Sequence, residues 1–265
     1  MSVQTEIDRI ITAVGAAYDA VEAKGGTAPA AQTLEGLAGA ISGIKSAPTT
    51  PYMVAEYEQS PVTADESASY IKKAKLYNHT KIVAFEFAYQ SVLQELDTSD
   101  PSNNITTIDA SAFTRAWCEN VIIPETVTLI GTGAFSNASI GTMVLPGNVT
   151  RISDFAFSDV LGVNNVEPVV KLNEGLSSIG NSAFNYASIA GEMEIPSTVT
   201  EIGEYCFSYT GITTVICKPT TPPSLGTEAF TSDTAGFTIK VPAASVAAYK
   251  AADGWKDYAS YIVAM

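Results

Sequence analysis

Among 265 residues there is one histidine, His79, and there are three cysteines, Cys118, Cys206 and Cys217. Ser–His or Cys–His nucleophilic chemistry would depend on that histidine alone. The cysteines form no CxxC pair and, being odd in number, cannot all pair within one chain. Charge is scarce as well: 16% of residues are charged, and 14 Lys+Arg stand against 28 Asp+Glu. The densest basic cluster is Lys72, Lys73 and Lys75, too little to bind nucleic acid or an anionic membrane surface. No stretch approaches the roughly 20 apolar residues of a membrane-spanning helix. The opening Met1-Ser2-Val3-Gln4-Thr5-Glu6 lacks the basic and apolar regions of a secretory signal. What is plentiful is hydrophobic residues, 46% of the chain, which is enough to bury a core. The expectation is an acidic protein without cofactor, metal or catalytic centre.

From about residue 77 the chain repeats itself, and a repeat decides the fold before any motif does. Ile or Leu, four residues, then Phe recurs as Ile82/Phe87, Ile108/Phe113, Ile130/Phe135, Ile152/Phe157, Ile179/Phe184, Ile202/Phe207 and Leu225/Phe230. The Phe separations are 26, 22, 22, 27, 23 and 23 residues. A small residue precedes six of the seven rings (Ala112, Ala134, Ala156, Ala183, Cys206 and Ala229), whereas Glu86 breaks the first copy. Between copies lie short alternating apolar runs that end in proline, such as Met143-Val144-Leu145-Pro146 and Met193-Glu194-Ile195-Pro196. Alternation makes them strands with one buried face, and proline ends them because it cannot donate to the next ladder bond. A period of this length suits one coil of a solenoid. With parallel strands about 4.8 Å apart, seven coils give a stack roughly 30 Å long, with the Ile and Phe positions in continuous columns.

The segments "IPETVTLIGTGAF", "LPGNVTRISDFAF" and "IPSTVTEIGEYCF" resemble the BspA-like, Treponema-type leucine-rich repeat. The tail "TIKVPAASVAAYKAADGWKDYASYI", with Val246, Tyr249 and Trp255 on a short helix, is similar to a terminal cap of such proteins. The resemblance implies a mainly β solenoid of about seven coils over residues 77–237, a C-terminal cap over 238–265, and a non-catalytic adhesion or recognition scaffold. Such scaffolds are typically surface or secreted proteins that bind a host or matrix protein.

The front of the chain follows another pattern. Val3, Ile7, Ile10, Val14, Ala17 and Val21 recur at alternating four- and three-residue steps. That is either an a/d seam for helix self-association or an amphipathic stripe packed on its own chain. Gly25-Gly26 stops this helix, and Leu34, Leu37, Ile41 and Ile44 suggest a second one. Residues 1–46 therefore read as a small helical attachment or oligomerisation region, with Val3, Ile7, Ile10, Val14 and Val21 as its seam. Residues 47–76 read as linker and N-terminal cap: Pro48, Pro51 and Pro61 mark the linker, and 64–76 is expected to be helical. The leader "TEIDRIITAVGAAYDAVEAKGGTAPAAQTLEGLAGAISGI" resembles those of bacteriophage and prophage tail-associated proteins. It implies a virion location, other phage structural proteins as partners, a homo-oligomer and a bacterial surface receptor, glycan or protein.

Within the repeat, the cysteines take apolar slots. Cys118 stands where later copies have Ile140, Ile189 and Ile212; Cys206 takes the small position before Phe207; and Cys217 corresponds to Leu145. Each reads as a buried hydrophobe. His79 reads as an edge polar residue of the first coil, Gly131 and Gly133 as turn residues and not a phosphate loop, and Asp97–Asp100 as a turn and not a calcium loop. The slot two residues after each Phe holds Tyr89, Arg115, Asn137, Asp159, Tyr186, Tyr209 and Ser232, with Trp117 in a neighbouring loop. Tyr89, Trp117, Tyr186 and Tyr209 are the binding candidates. They either contact saccharide rings or a protein or pack locally over the repeat turn. A second candidate is the outward strand face carrying Asn120, Ile122, Thr142, Val144, Val169, Lys171, Glu192, Glu194, Thr214 and Ile216. The longest interval contains the segment Asp159–Pro168, with an insertion of about five residues relative to the other copies.

Overall fold

The computed structural model describes residues 51–59, 69–84, 86–89, 93, 95–118, 122–163, 168–230 and 236–265. The helical region expected over 1–46, with its seam, lies outside the described residues. The first described elements are strands: β1 (Tyr52–Gln59) and β2 (Ser69–Tyr77) pair as an antiparallel hairpin. This corrects the expectations of a proline-marked linker at 52–59 and, over its described part 69–76, of a helix over 64–76. Pro51 precedes β1, and β1 is the edge of its sheet, where proline leaves no ladder bond unmade. In β2 the pairing register slips at Lys72, so Ile71 and Ala74, three residues apart, both reach the core. A bulge thereby imitates helical spacing.

The coils follow. The first contributes β3 (Lys81–Ile82) and β4 (Glu95–Asp97), and the second β5 (Thr107–Ile108) and β6 (Trp117–Cys118). The third contributes β7 (Leu129–Ile130), β8 (Ser139–Ile140) and β9 (Thr142–Val144); the fourth β10 (Arg151–Ile152), β11 (Leu161–Gly162) and β12 (Val169–Lys171). The fifth holds β13 (Ser178–Ile179) and β14 (Ala190–Ile195), the sixth β15 (Glu201–Ile202) and β16 (Gly211–Cys217), and the seventh β17 (Ser224–Leu225) and β18 (Thr238–Val241). The seven two-residue strands that carry the Ile or Leu of each repeat join as one parallel ladder, β3-β5-β7-β10-β13-β15-β17. Parallel pairing in register is what a solenoid of like coils requires.

The phenylalanines form the expected column. Successive rings from Phe87 to Phe230 stack with centroids 4.9 to 5.7 Å apart and planes within 10°. That spacing is close to the strand repeat, so each ring lies on its neighbour's face. Small residues precede the rings because Ala112, Ala134, Ala156, Ala183, Cys206 and Ala229 are fully buried. The insertion does not disturb the column: Phe157 and Phe184, 27 residues apart, have centroids at 5.1 Å. Gly131 earns its place by contact, since a Cβ there would come 2.7 Å from the Ile108 carbonyl oxygen of the preceding coil.

The C-terminal cap closes the column. Helix α1 (Val246–Ala251) carries Tyr249, but Trp255 does not share it: extended backbone at Ala252 ends the helix, and Gly254, at φ 78°, leads into a 3-10 turn (Trp255–Tyr258). The last strand, β19 (Ile262–Ala264), pairs with β18. The cap also answers the polar groups of the final coil. Tyr249 Oη donates to the Pro219 carbonyl at 2.8 Å, Trp255 Nε1 to that of Pro223 at 2.8 Å, and Tyr258 Oη to that of Phe230 at 2.7 Å.

Cys206 and Cys217 are free and buried; the side chain of Cys118 lies outside the described residues. Burial pushes the Cys217 thiol up from its ordinary 9.0 to about 12 and the Cys206 thiol up as well. Neither is an activated nucleophile. A group with a raised folded-state value stabilises the fold below its ordinary value and loses that contribution as pH rises towards the folded one. We therefore expect the folded protein to withhold both thiols from a thiol reagent at pH 8, and stability to fall as pH rises from about 9 towards 12. Rapid labelling of either thiol in native protein contradicts this packing.

Candidate functional site

The coils turn sharply around their Phe residues, and among the described residues two positions of the turn adopt left-handed backbone. One set lies two residues after Phe: Tyr89, Arg115, Asn137, Asp159, Tyr186 and Tyr209, with φ between 55° and 62°. The other lies two residues before: Ser111, Gly133, Phe155, Ser182, Tyr205 and Glu228. This conformation costs a residue with a Cβ roughly 1 kcal/mol, so something must offset it. The offset is a set of bonds between coils. Ser111, Phe113 and Arg115 donate their N–H groups to the carbonyls of Thr132, Ala134 and Ser136 at 2.9, 2.7 and 2.9 Å, and the other turns repeat the pattern.

The resulting edge is where the aromatic side chains stand out. Tyr89, Tyr186 and Tyr209 are each more than half exposed. Tyr186 and Tyr209, on consecutive coils, stack with centroids 4.5 Å apart and planes within 6°. Each covers one face of the other, leaving ring edges and outer faces to a partner. Tyr89 is four coils away, roughly 20 Å at the strand repeat, and lies under the Arg115 guanidinium at 5.6 Å. Between them, Asn137 Nδ2 donates to Ser136 Oγ at 2.9 Å and Asp159 Oδ2 accepts from Ser158 Oγ at 2.7 Å. Trp117 is not part of this column. It sits on β6, in register with Ser139 of β8, and is half-buried. Two exposed aromatics escaped the sequence reading: Phe155 and Tyr205, both in the left-handed slot before Phe. The one signal for that slot is Gly133. Together with Tyr186 and Tyr209 they place four exposed aromatics on the turn edge of coils four to six, apart from Tyr89 on the first coil.

The outward strand face is mixed, as its sequence implies. Ile122, Val144 and Val169 are exposed, followed by Lys171, Glu192 and Glu194. Lys218 Nζ bridges Glu174 at 3.0 Å and also meets Glu194. The Lys218 ammonium and the Ser197 hydroxyl hold the Glu174 carboxyl below its ordinary range. Such exposed pairs contribute little. Of the insertion, residues 164–167 lie outside the described residues.

His79 is no edge residue. It is buried, with Nδ1 2.9 Å from the Tyr77 carbonyl oxygen and Nε2 3.1 Å from Glu86 Oε1. The Tyr77 carbonyl can only accept, so Nδ1 donates there and Nε2 pairs with the Glu86 carboxyl. Glu86 Oε2 also accepts the Val83 N–H at 2.8 Å, which accounts for the residue that breaks the first repeat. We expect His79→Ala to cost about 2–3 kcal/mol by stranding a largely buried carboxylate. His79→Ala/Glu86→Ala should cost less than His79→Ala alone, because alanine fills the same slot in later coils. Urea unfolding of the four species measures the coupling, and additive costs contradict the pairing. Asp97 and Asp100 each accept the N–H and Oγ of the serine two residues on. The two Ser99 bonds and Lys75 hold the Asp97 carboxyl at about 2. Among the described residues, no group of three or more His, Cys, Asp or Glu is placed to hold a metal ion.

The family described as "BspA type Leucine rich repeat region" matches residues 80–169 and 164–247, in six copies. A crystal structure of a leucine-rich repeat protein from Bacteroides ovatus ATCC 8483 at 1.19 Å resolution is similar at 19% identity with a TM-score of 0.36. The match covers 71% of this chain and 59% of that one, so this chain corresponds to under two thirds of its length. No curated protein matches the chain significantly. No helix among the described residues is long and apolar enough to cross a membrane.

Proposed function

Since the chain belongs to the BspA-type leucine-rich repeat family, we propose that it is a non-catalytic recognition scaffold that adheres to a surface receptor through the turn edge of coils four to six. The observation that carries this reading is the stacked, exposed pair Tyr186/Tyr209. Aromatic side chains on a rigid turn bury large area at small entropic cost, as interface anchors do. Incubating the full chain with intact bacterial cells, isolated cell-wall glycans and host-cell surface protein tests the reading. Saturable binding to one of the three, with the ligand recovered chemically unchanged, is expected. Binding to none of them, or turnover of the bound material, contradicts it.

Two placements suit such a scaffold. In the first, it is carried on a phage tail, in contact with other tail proteins. The likeness of residues 1–44 to tail-associated leaders favours this, and Val3, Ile7, Ile10, Val14 and Val21 would then join copies of the chain. Light scattering should show an oligomer for the full chain and a monomer for a chain starting near residue 50; two monomers contradict the seam. In the second, the protein is a cell-surface or secreted adhesin, which the repeat family favours. Tail and baseplate genes next to its gene support the first placement, and sortase or secretion genes the second.

A further inference from the structure

From the third coil onward the outward strands of successive coils should form one ladder, yet among the described residues they fall into two sheets. β12 pairs with β9, and β14 with β16, which continues through β18 to β19, but no pairing among the described residues joins β12 to β14. Around this break the coils stay in contact: β10 pairs with β13, and Phe157 stacks on Phe184 at 5.1 Å. The opening is confined to the outward face. It holds a cavity of about 390 Å³ lined by Val169, Val170, Lys171, Leu172, Glu192, Met193 and Glu194. At about 30 Å³ per molecule, that is room for about a dozen waters, well beyond one bridging water.

Each bank is paired on its far side only. Val169 N–H donates to the Gly141 carbonyl and the Lys171 carbonyl accepts from Leu145, so these two residues face β9. Peptide groups alternate along a strand, so those of Val170 and Leu172 face the opening. On the other bank, the Ile189 and Ile195 carbonyls accept from Gly211 and Lys218 on the β16 side; those of Glu192 and Glu194 face the opening. Strand pairing engages Val170, Glu192 and Glu194 only on the β9 or β16 side, and Leu172 has no turn or loop backbone bond to another described residue. Free groups two residues apart recur at about 6.6 Å, the repeat at which an extended strand presents its own. Met193 and Val170 offer buried apolar packing at the floor. At the rim, Glu192 is an exposed carboxylate with no ion-pair partner among the described residues, whereas Glu194 already meets Lys218.

We propose that this opening accepts an extended peptide segment of a partner protein by strand addition, alternating basic residues outward over Glu192 with apolar residues inward over Met193. Main-chain bonds would supply the affinity and the alternation the selectivity. The site is distinct from the tyrosine edge, so either can fail without the other.

The probe is acetyl-Lys-Val-Lys-Val-Lys-Val-amide at millimolar concentration, added to the full chain, with amide hydrogen exchange as the readout. In the free protein, the amides of Val170, Leu172, Glu192 and Glu194 should exchange rapidly. With peptide they should slow by about 10-fold or more, the loss expected when open amides enter a ladder. The same peptide with proline at each valine keeps the charge but lacks those donors and should protect none of them. Glu192→Lys, at an exposed position, should weaken binding by about 3-fold. Protection of these amides in the free protein, no change on adding the valine peptide, or equal protection by the proline peptide would each overturn the proposal.

Discussion

Replacing Phe157 by alanine should lower the free energy of unfolding by about 3–5 kcal/mol, the range for removing a fully buried ring and leaving a cavity. Phe157 has no exposed surface and stacks on Phe135 at 5.2 Å and on Phe184 at 5.1 Å. Its backbone is fixed by an N–H bond to the Ala183 carbonyl at 2.7 Å, so the neighbouring coils cannot collapse into the space. Phe157→Leu keeps most of the volume and should cost less than half as much. Phe87→Ala should also cost less, because Phe87 begins the column and stacks on Phe113 alone among the described rings. Against a typical total of about 5–15 kcal/mol, the Phe157 loss brings the protein near its unfolding threshold. Urea titration at constant m gives the numbers. A loss under about 1 kcal/mol, or equal losses at Phe157 and Phe87, contradicts a continuous column as the main support of the coils.

The second large effect is at the cap. Trp255 is fully buried, packs edge-on against Tyr249 at 4.8 Å and tilts over Phe230 at 6.1 Å. Its indole N–H also satisfies the Pro223 carbonyl. Trp255→Ala therefore removes the lid from the last ring and leaves a buried acceptor unmet, about 3–5 kcal/mol together. For a chain of this size, that is a fall of roughly 10 °C in Tm. Because an uncapped solenoid exposes its column and strand ends, the variant should also aggregate at lower temperature than wild type. Trp255→Phe keeps the packing and loses the bond, at about 1–2 kcal/mol. Circular dichroism and turbidity during heating separate the two losses, and an unchanged Tm in Trp255→Ala contradicts the capping role.

The coils were legible because each spends its positions in the same way. The spacing from Ile to Phe and the small residue before Phe both translate into columns, so seven imperfect copies specify one fold. Cys206 was readable from register alone. What stayed hidden depends on pairs or on backbone conformation. His79 and Glu86 each look anomalous in their own pattern and make sense only as partners. Ile71 and Ala74 imitate a helix because a bulge separates them. Phe155 and Tyr205 occupy a slot whose left-handed backbone only Gly133 announces. Tyr186 and Tyr209 could be placed on one edge from their register, but the ring stacking came from the turn geometry. The break between β12 and β14 follows the insertion after Phe157, and nothing in the composition of either strand signals it.

The most direct test of the account compares the wild-type chain with Tyr186→Ala/Tyr209→Ala for binding to the cell surface or glycan that the wild type recognises. Both side chains are largely exposed, so the variant should keep the wild-type unfolding midpoint to within about 1 kcal/mol. Its binding should weaken by about 10-fold or more, as for loss of an aromatic anchor pair. Unchanged binding by a normally folded variant would remove recognition from the turn edge and contradict the central claim.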